Sequence, residues 1–464
     1  MKTVWKYSYL LLFLAMLIVP LALINTQPDY ISETDNRELT DIADFSELGI
    51  TGGVRNYLQD RIGFRDEMLT GYQVINTAVS GELIHPIYTY GKDGYVFFKM
   101  HNNNSYNGYH KIFANAVLKM REYCGSRGVP FYFVFNPEKI SVYRDYLPSG
   151  VNYTDEWVDH FLASLEENGV TVVDNRKLLS DLSKTEQVFN RQYDAGHWND
   201  LGCYYGTNNL WRAMQEYFPE TGEYTQDDFE ISTKTGTYLA NSRFPVNETI
   251  PDYRLKASWQ ELTDQYEGIR LDSRYRYFQY CRNQEENAGQ YPKIMVFQGS
   301  YYNSRYQFLI GRASDYIGIH DYQNVLNLDY YFNIFQPDAV VFEVAEYTFS
   351  SDYFDWINMG SIDYHPELII ADPEYSTRLT QNATIRLTQR NGFDSVFLDA
   401  SFLAGELPTS GYAYLTDGDS CYDLFPDQEG GYSADIPGGA VSGEMMFYFL
   451  DKEGNEYYTA VSAE

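Results

Sequence analysis

The chain has 464 residues, and 65 acidic against 34 basic side chains give it a formal charge of −31. This charge argues against nucleic acid as the main partner, because a phosphate backbone is bound by clustered Lys and Arg. The 44% content of hydrophobic residues excludes disorder for most of the chain, and the length allows two or three domains of about 100–200 residues. The 45 tyrosines are typical of a secreted protein that stacks on sugar or of a Tyr-rich fold with no sugar ligand, and composition does not separate the two.

An uncharged apolar segment runs from Tyr7 to Ile24, near the lower limit of about 17–25 residues for a membrane-spanning helix. Lys2 and Lys6 precede this segment and acidic residues follow it, so the positive-inside rule places the N-terminus in the cytoplasm and the rest outside. We therefore expect residues 1–26 to be a cytoplasmic stub and an uncleaved signal anchor. A cleaved signal peptide is the competing interpretation, but the segment exceeds the usual apolar region of about 7–15 residues and no small-x-small site follows it.

Residues 27–80 predict a polar juxtamembrane stalk that carries a helix over 54–69. From 81 to 368, apolar segments that suit strands alternate with helical ones, and this order is typical of an α/β domain with a mostly parallel sheet. The predicted strands cover 95–98, 129–135, 170–174, 293–298 and 339–344. The predicted helices cover 109–127, 155–168, 201–218 and 301–310.

The tail, residues 369–464, has a different pattern. Short apolar strands are separated there by turns rich in Gly, Asp and Asn, which predicts an all-β sandwich. Such a domain either binds carbohydrate or only caps and spaces the catalytic body. Composition does not decide between these two roles.

The four cysteines, Cys124, Cys203, Cys281 and Cys421, are scattered singly. This spacing excludes a zinc ribbon and a thioredoxin-type motif, and it leaves disulfides and free thiols equally open. The seven histidines are dispersed without paired spacing, so we predict no metal site.

A first candidate site is the segment Asp194-Ala195-Gly196-His197, just ahead of a predicted helix. An Asp three residues before a His can orient the imidazole and stabilise its charged form, as a general base requires. The same pair also occurs as a helix cap with a hydrogen-bonded ring. Alone, it is a weak signal for catalysis.

A second candidate is Ser300, which follows the predicted strand 293–298 through Gly299 and leads into a predicted helix. A Ser in this place lies at the carboxyl edge of the sheet, where the first N–H groups of a helix can stabilise an oxyanion. An N-cap Ser without chemistry has the same pattern. Together with an Asp-His pair at another strand end, however, Ser300 completes the three parts of a serine acyl-transfer site.

Several motifs, each weak alone, occur in an order that resembles one family. In chain order they are Ser32-Glu-Thr-Asp-Asn-Arg-Glu-Leu, Tyr57-Leu-Gln-Asp-Arg-Ile-Gly-Phe-Arg-Asp, Gly91-Lys-Asp-Gly-Tyr-Val-Phe-Phe, Phe135-Asn-Pro-Glu-Lys-Ile-Ser-Val-Tyr, His197-Trp-Asn, Ser300-Tyr and Pro337-Asp-Ala-Val-Val-Phe-Glu-Val-Ala-Glu. Over roughly residues 30–365 the chain thus resembles the SGNH hydrolase-like O-acetyltransferases of the alginate acetylation type, the AlgJ/AlgX-like family and its DHHW-motif relatives in Gram-positive bacteria. As in that branch, and unlike ordinary SGNH esterases, His197 precedes Ser300.

The resemblance implies an SGNH-like three-layer sandwich over 81–368, with Ser300 as nucleophile, His197 as general base and acid, and Asp194 as its orienting carboxylate. Two positions depart from the family pattern: the acid stands one residue earlier than Asp-x-His-Trp would place it, and Gln298 replaces the usual Gly. The candidates for substrate or oxyanion contact are Asn136, Lys139, Trp198, Tyr301 and Arg305. Tyr193, Tyr302 and Tyr306 are further candidates for stacking on sugar.

The resemblance also implies the reaction. Ser300 would accept an acetyl group and pass it to a hydroxyl of a cell-surface or secreted polysaccharide. No cofactor is implied, because a multi-span membrane acyltransferase of the MBOAT type would deliver the acetyl group, with the protein at the cell membrane by a single span. Two alternatives stay open, a carbohydrate acetylesterase and a catalytically silent glycan-binding scaffold subunit.

Overall fold

The computed structural model describes residues 2–28, 30–32, 37–80, 85, 87–99, 105–240, 244–369, 376–399, 410–428, 430–441 and 444–463. The helices are α1 Lys2–Ala22, α2 Phe45–Arg61, α3 Arg65–Ser80, α4 Gly108–Ser126, α5 Lys139–Val142, α6 Glu156–Glu166, α7 Arg176–Leu182, α8 Asp200–Met214, α9 Ser300–Asn303, α10 Gln307–Ile310, α11 Leu328–Phe335 and α12 Trp356–Gly360. The strands up to residue 345 are β1 Ile31–Ser32, β2 Arg37–Glu38, β3 Tyr88–Tyr90, β4 Val96–Phe98, β5 Phe131–Asn136, β6 Thr171–Asp174, β7 Phe229–Tyr238, β8 Pro245–Leu255, β9 Trp259–Glu261, β10 Phe278–Asn283, β11 Lys293–Gln298, β12 Asp315–His320 and β13 Ala339–Ala345. The later strands are β14 Thr377–Arg378, β15 Ala383–Gln389, β16 Phe393–Leu398, β17 Gly411–Thr416, β18 Cys421–Pro426, β19 Tyr432–Pro437, β20 Met445–Asp451 and β21 Glu456–Ala463.

A seven-stranded sheet forms the centre of the α/β body, in the order β6-β5-β13-β11-β12-β10-β9. The first five of these strands are parallel, and β10 and β9 add antiparallel pairs at one edge. Helices cover both faces of the sheet, and successive residues of one strand pack on opposite sides. Phe133 lies in the same apolar cluster as Phe161 of α6, whereas Val134 lies in the cluster that contains Trp211 of α8. The predicted α/β body with a mostly parallel sheet between two helical layers is thus confirmed.

The C-terminal strands close into a barrel. Pairing runs in the order β21-β15-β16-β19-β18-β17-β20, and β20 pairs back with β21, while the short β14 adds to β21. The all-β prediction is therefore confirmed, but the predicted sandwich is wrong, because the sheet closes on itself instead of forming two packed sheets. The short strand lengths and turn signals that we used do not distinguish these two architectures.

Two predicted helices are interrupted. The helix predicted over 54–69 is broken between α2 and α3, because Ile62 leaves helical geometry with ψ of 135° and Phe64 has φ of 60°. The helix predicted over 301–310 consists of α9 and α10, separated around Ser304.

The N-terminal helix α1 carries exposed apolar side chains, among them Leu11, Met16 and Ile18. Among the helices of the described residues, none combines the length and the apolar character needed to cross a bilayer. The membrane anchor therefore stays a prediction, as do the domain boundaries proposed at residues 26, 80 and 368.

Candidate active site

The candidate site lies at the carboxyl edge of the central sheet. Strands β5, β13, β11 and β12 are neighbours there, and the chain leaves them at Asn136, Ala345, Gln298 and His320. In an open parallel sheet this edge is where ligands bind. Ser300 follows β11 by two residues, and the segment before α8 brings His197 to the same edge.

Asp194 orients the imidazole of His197. Its carboxylate lies 3.1 and 3.2 Å from the His197 Nδ1. One carboxylate oxygen also accepts the backbone N–H groups of Gly196 and His197, both at 2.9 Å, in the local turn that Asp favours. Burial by itself would raise the pKa of Asp194, but His197 and these two N–H groups lower it below its usual range. Asp194 is therefore ionised at neutral pH, and the shift of the acid by one position does not prevent contact with the ring.

The hydrogen bonds fix the direction of proton donation at Ser300. Because the ionised Asp194 only accepts, the His197 Nδ1 carries the proton and the Nε2 accepts. The Ser300 Oγ lies 2.8 Å from that Nε2, so it donates to His197. The Tyr347 hydroxyl lies 2.7 Å from the same Oγ and must then donate to it. Burial raises the pKa of Tyr347 above its ordinary value, which keeps this donor protonated.

Trp198 and Tyr301 join the two segments that carry His197 and Ser300. The Trp198 indole N–H donates to the Tyr301 carbonyl at 3.1 Å. The Tyr301 hydroxyl lies 2.9 Å from the carbonyl oxygens of Pro137 and Gly196. Both side chains are fully buried. The predicted substrate contact is therefore wrong for Trp198 and Tyr301, which fill the core beneath the site.

The other candidates for stacking on sugar differ in exposure. Tyr302 is fully buried and its hydroxyl pairs with Thr207 at 3.0 Å, so it offers no face to a ligand. Tyr193 and Tyr306 are partly exposed and keep the predicted role as a hypothesis.

Asn136 belongs to a buried network that holds the backbone before Ser300. Its amide donates to Glu343 Oε1 at 2.8 Å and its oxygen accepts from Asn175 at 2.8 Å. The second oxygen of Glu343 accepts the Gly299 N–H at 2.8 Å. Asn136 is fully buried, so the structure assigns it to support of the Gly299 turn and not to the predicted oxyanion contact.

Lys139 also lies under the site instead of lining it. Its ammonium is buried and donates to the carbonyls of Val96, Arg191 and Asp194 at 2.7, 3.1 and 2.8 Å. Burial lowers the pKa of Lys139 to about 7, against the opposing effect of nearby carboxylates such as that of Asp194. The predicted substrate contact is therefore wrong for Lys139, which holds the segment before His197.

Arg305, unlike the buried candidates above, borders an open cavity. This cavity of about 340 Å³ lies between the His197 segment, β8 and the link from α9 to α10, and Tyr193 also lines it. The Arg305 Nε donates to Asp200 at 2.9 Å, which fixes the guanidinium at the cavity wall.

The cysteines and the acidic residues of the described part of the chain form neither a disulfide nor a metal-binding cluster. The four cysteines are free thiols, three of them buried, and no group of three or more His, Cys, Asp or Glu side chains there could hold a metal ion.

Comparison with known proteins finds a family model that matches part of the chain. Residues 89–265 match the family model described as the SGNH hydrolase-like domain of the acetyltransferase AlgX. The predicted family resemblance is confirmed over these residues. No curated protein sequence matches the chain.

Three solved structures are similar in shape at low sequence identity. Bacillus cereus PatB1 with a sulfonyl adduct is 16% identical, with a TM-score of 0.46 over 58% of this chain and 96% of that one. The O-acetyltransferase domain of Pseudomonas putida AlgJ is 16% identical, with a TM-score of 0.41 over 60% and 99%. Pseudomonas aeruginosa AlgX is 12% identical, with a TM-score of 0.42 over 80% and 90%.

Reasoning from the sequence did not find Glu343 or Tyr347 as parts of the site. Glu343 stands inside a motif that carries the family resemblance, but its contacts with Gly299 and Asn136 depend on strand pairing. Tyr347 is one of 45 tyrosines, and no local signal separates it from the others.

Proposed function

We propose that this protein is a membrane-anchored, extracytoplasmic O-acetyltransferase that acetylates hydroxyl groups of a cell-surface or secreted polysaccharide. The observation that carries the proposal is the hydrogen-bonded series Asp194–His197–Ser300 at the carboxyl edge of the sheet. The match of residues 89–265 to an acetyltransferase domain model supports acetyl transfer as the chemistry.

In the first half-reaction the Ser300 Oγ attacks the acetyl carbonyl of the donor and its proton passes to the His197 Nε2. The tetrahedral intermediate collapses, and His197 returns the proton to the leaving group. In the second half-reaction a sugar hydroxyl gives its proton to His197 and attacks the acetyl-serine. His197 then protonates the Ser300 Oγ as the acetylated sugar leaves.

Tyr347 assists the second half-reaction. Its hydroxyl donates to the Ser300 Oγ, where negative charge develops when the acetyl-serine bond breaks. A neutral, buried donor stabilises that charge at little cost in reorganisation.

The donor reaches Ser300 through a partner. We propose that α1, with exposed apolar side chains, anchors the protein in the membrane with its N-terminus in the cytoplasm. An acetyl group held on cytoplasmic CoA does not reach an extracytoplasmic Ser300 by diffusion. An MBOAT-type membrane acyltransferase therefore delivers it, and the anchor holds the two proteins side by side.

The proposed enzymatic activity is tested by the substitution Ser300→Ala in the full chain. The wild type should hydrolyse 4-nitrophenyl acetate and the variant should lose this activity, and acetylation of the cell's glycan should be lost with it. Unchanged glycan acetylation in cells that carry Ser300→Ala would overturn the proposal in favour of a silent scaffold.

An assay with added sugar acceptors distinguishes acetyl transfer from hydrolysis. Purified full-length protein is given the ester together with oligosaccharides, and the products are analysed by mass spectrometry. Acetylated sugar supports the transferase. Free acetate alone, whatever acceptor is offered, assigns the protein as an acetylesterase.

A further inference from the structure

A two-stranded ribbon projects from the body beside the candidate site. Its strands β7 and β8 pair with each other in their own antiparallel sheet, apart from the central one. At its base the Phe229 ring lies 5.1 Å from the ring of Phe308 and 5.6 Å from that of Tyr253. An isolated two-stranded ribbon is marginally stable, so contacts with the body hold it in place.

Glu248 of β8 makes four of these contacts. One oxygen accepts the backbone N–H of Arg191 at 2.6 Å, and the other accepts those of Gln192 and Tyr193 at 2.7 and 2.6 Å. The side-chain amide of Gln187 also donates to this carboxylate, at 2.6 Å. A single carboxylate thus accepts hydrogen bonds from three consecutive peptide N–H groups. Because the acceptor is ionised, these hydrogen bonds are charge-assisted and stronger than those between neutral groups.

Tyr193 is held by the ribbon at two further points. Its carbonyl accepts the Ala240 N–H at 2.6 Å. Its ring lies against Gly236, where a Cβ atom would come within 2.4 Å of the ring. The glycine is therefore required for this close approach of the ribbon to the residue that precedes Asp194.

Lys139 holds the same segment from the body side. Its ammonium binds the carbonyls of Arg191 and Asp194, while Glu248 binds the N–H groups of residues 191–193. The peptide groups of this irregular segment are therefore held by the Lys139 amino group at their oxygens and by the Glu248 carboxylate at their nitrogens. The next side chain along the chain is that of Asp194, which contacts His197.

We propose that Glu248 is a positioning residue for the reaction: it fixes the 191–193 backbone so that Asp194 holds His197 in line with Ser300. The inference rests on the proposed acyl transfer at Ser300. It makes the ribbon a functional part of the site, although neither β7 nor β8 contributes a reacting group.

The test compares full-length wild type, Glu248→Ala and Glu248→Gln with 4-nitrophenyl acetate as substrate. The concentration of reactive Ser300 is counted by complete labelling with phenylmethylsulfonyl fluoride and mass spectrometry. We expect kcat per reactive Ser300 to fall about 100-fold in Glu248→Ala and about tenfold in Glu248→Gln, which keeps one accepting oxygen. KM should change little, because Glu248 does not touch the small ester.

The matched control is Glu230→Gln, which removes one negative charge from the exposed surface of β7, opposite Arg254. It should leave kcat unchanged. If Glu248 only stabilised the fold, both Glu248 variants would melt at lower temperature with kcat per reactive Ser300 as in the wild type, and the inference would be overturned. If instead the wild type has no activity, or Ser300→Ala retains it, the proposed function itself fails.

Discussion

Asp194 stands one residue earlier than the acid of the family pattern, and its own turn compensates for the shift. The carboxylate folds back to accept the Gly196 and His197 N–H groups, and this brings its second oxygen to the imidazole. The short side chain of Asp suits this turn. Ala195, at the usual position of the acid, is buried in a small apolar cluster with Tyr88.

We therefore predict that Asp194→Asn lowers kcat toward 4-nitrophenyl acetate by about 1,000-fold or more. The Asn oxygen can still accept both N–H groups, so the fold is kept, but its NH2 group cannot accept the proton of the His197 Nδ1. Steady-state kinetics and a thermal melt check this together. A variant within tenfold of the wild type would mean that another group orients the ring.

Tyr347→Phe isolates the hydroxyl that donates to Ser300. We expect kcat to fall between about tenfold and 100-fold with little change in KM, because the donor acts on charge that develops during the reaction. The rate of deacylation, measured after a burst of 4-nitrophenol, should fall with kcat. Unchanged rates would show that the Ser300–Tyr347 hydrogen bond is not used in the reaction.

Glu343 makes the stability of the folded state depend on pH. Burial, with a contribution from Asp321, raises the pKa of Glu343 from 4.5 to about 8. Between these values the folded state binds more protons at this site than the unfolded state does, so the site's contribution to stability declines as pH rises from about 5 to about 8. We predict that Glu343→Gln, which cannot ionise, loses less stability over this range than the wild type. Urea unfolding at several pH values measures the difference, and parallel curves would contradict the assignment.

At the scale of elements, the barrel is joined to the body by a buried ion pair. Arg127, just after α4, contacts both oxygens of Asp423 in β18 at 2.9 and 3.0 Å, and the Tyr123 hydroxyl donates to the same carboxylate at 2.7 Å. The Asn333 amide exchanges two hydrogen bonds with the Asp423 backbone. The contact is therefore a specific junction between α4, α11 and the barrel.

We predict that Arg127→Ala destabilises the protein by about 3–5 kcal/mol, because it leaves the buried Asp423 carboxylate without its cation. The matched control is Lys452→Ala, which removes an exposed pair with Asp363 at 3.0 Å between barrel and body and should cost about 0–1 kcal/mol. Urea unfolding of both variants provides the comparison. Equal losses would show that the Arg127 pair contributes no more than a surface contact.

The sequence predicts the central strands well and the ribbon not at all. β5, β11 and β13 are continuous apolar segments buried on both faces, and such segments are recognisable locally. β7 is mostly exposed, β8 is exposed or half-buried over most of its length, and polar residues interrupt the apolar ones in both, so neither has the continuous apolar run that marks the central strands. Asp194, His197 and Ser300 were found from neighbouring residues, whereas the contacts of Glu248 and Glu343 depend on how distant elements pack.

At the scale of the whole molecule, the excess of tyrosine is largely a property of the core. Tyr302, Tyr316 and Tyr331 are fully buried, and each hydroxyl reaches a partner: Thr207, Gln298 and the Arg270 carbonyl, respectively. A buried Tyr is favourable where its hydroxyl is paired, since the ring then supplies apolar area at no polar cost. The abundance of Tyr therefore does not by itself indicate sugar binding.

The proposed membrane anchor leads to a prediction about the whole chain. The end of α1 is tied to the junction of α2 and α3, since the Asn25 N–H donates to the Arg61 carbonyl at 2.8 Å and the Gly63 N–H to that of Pro20 at 2.9 Å. None of the described site contacts comes from residues 1–26. Removal of α1 should therefore spare the chemistry and abolish only the attachment.

We predict that residues 27–464, exported by a cleavable signal peptide, appear in the soluble fraction with kcat toward 4-nitrophenyl acetate within about twofold of the full chain. Glycan acetylation in cells should nevertheless be lost, because in the proposed function a membrane partner holds the acetyl donor, and the effective concentration of an untethered enzyme is low. Replacement of α1 by an unrelated transmembrane helix is the control and should restore acetylation. Full acetylation by the soluble form would show that delivery of the acetyl group does not depend on the anchor, and a wild-type chain found in the soluble fraction would favour a cleaved signal peptide.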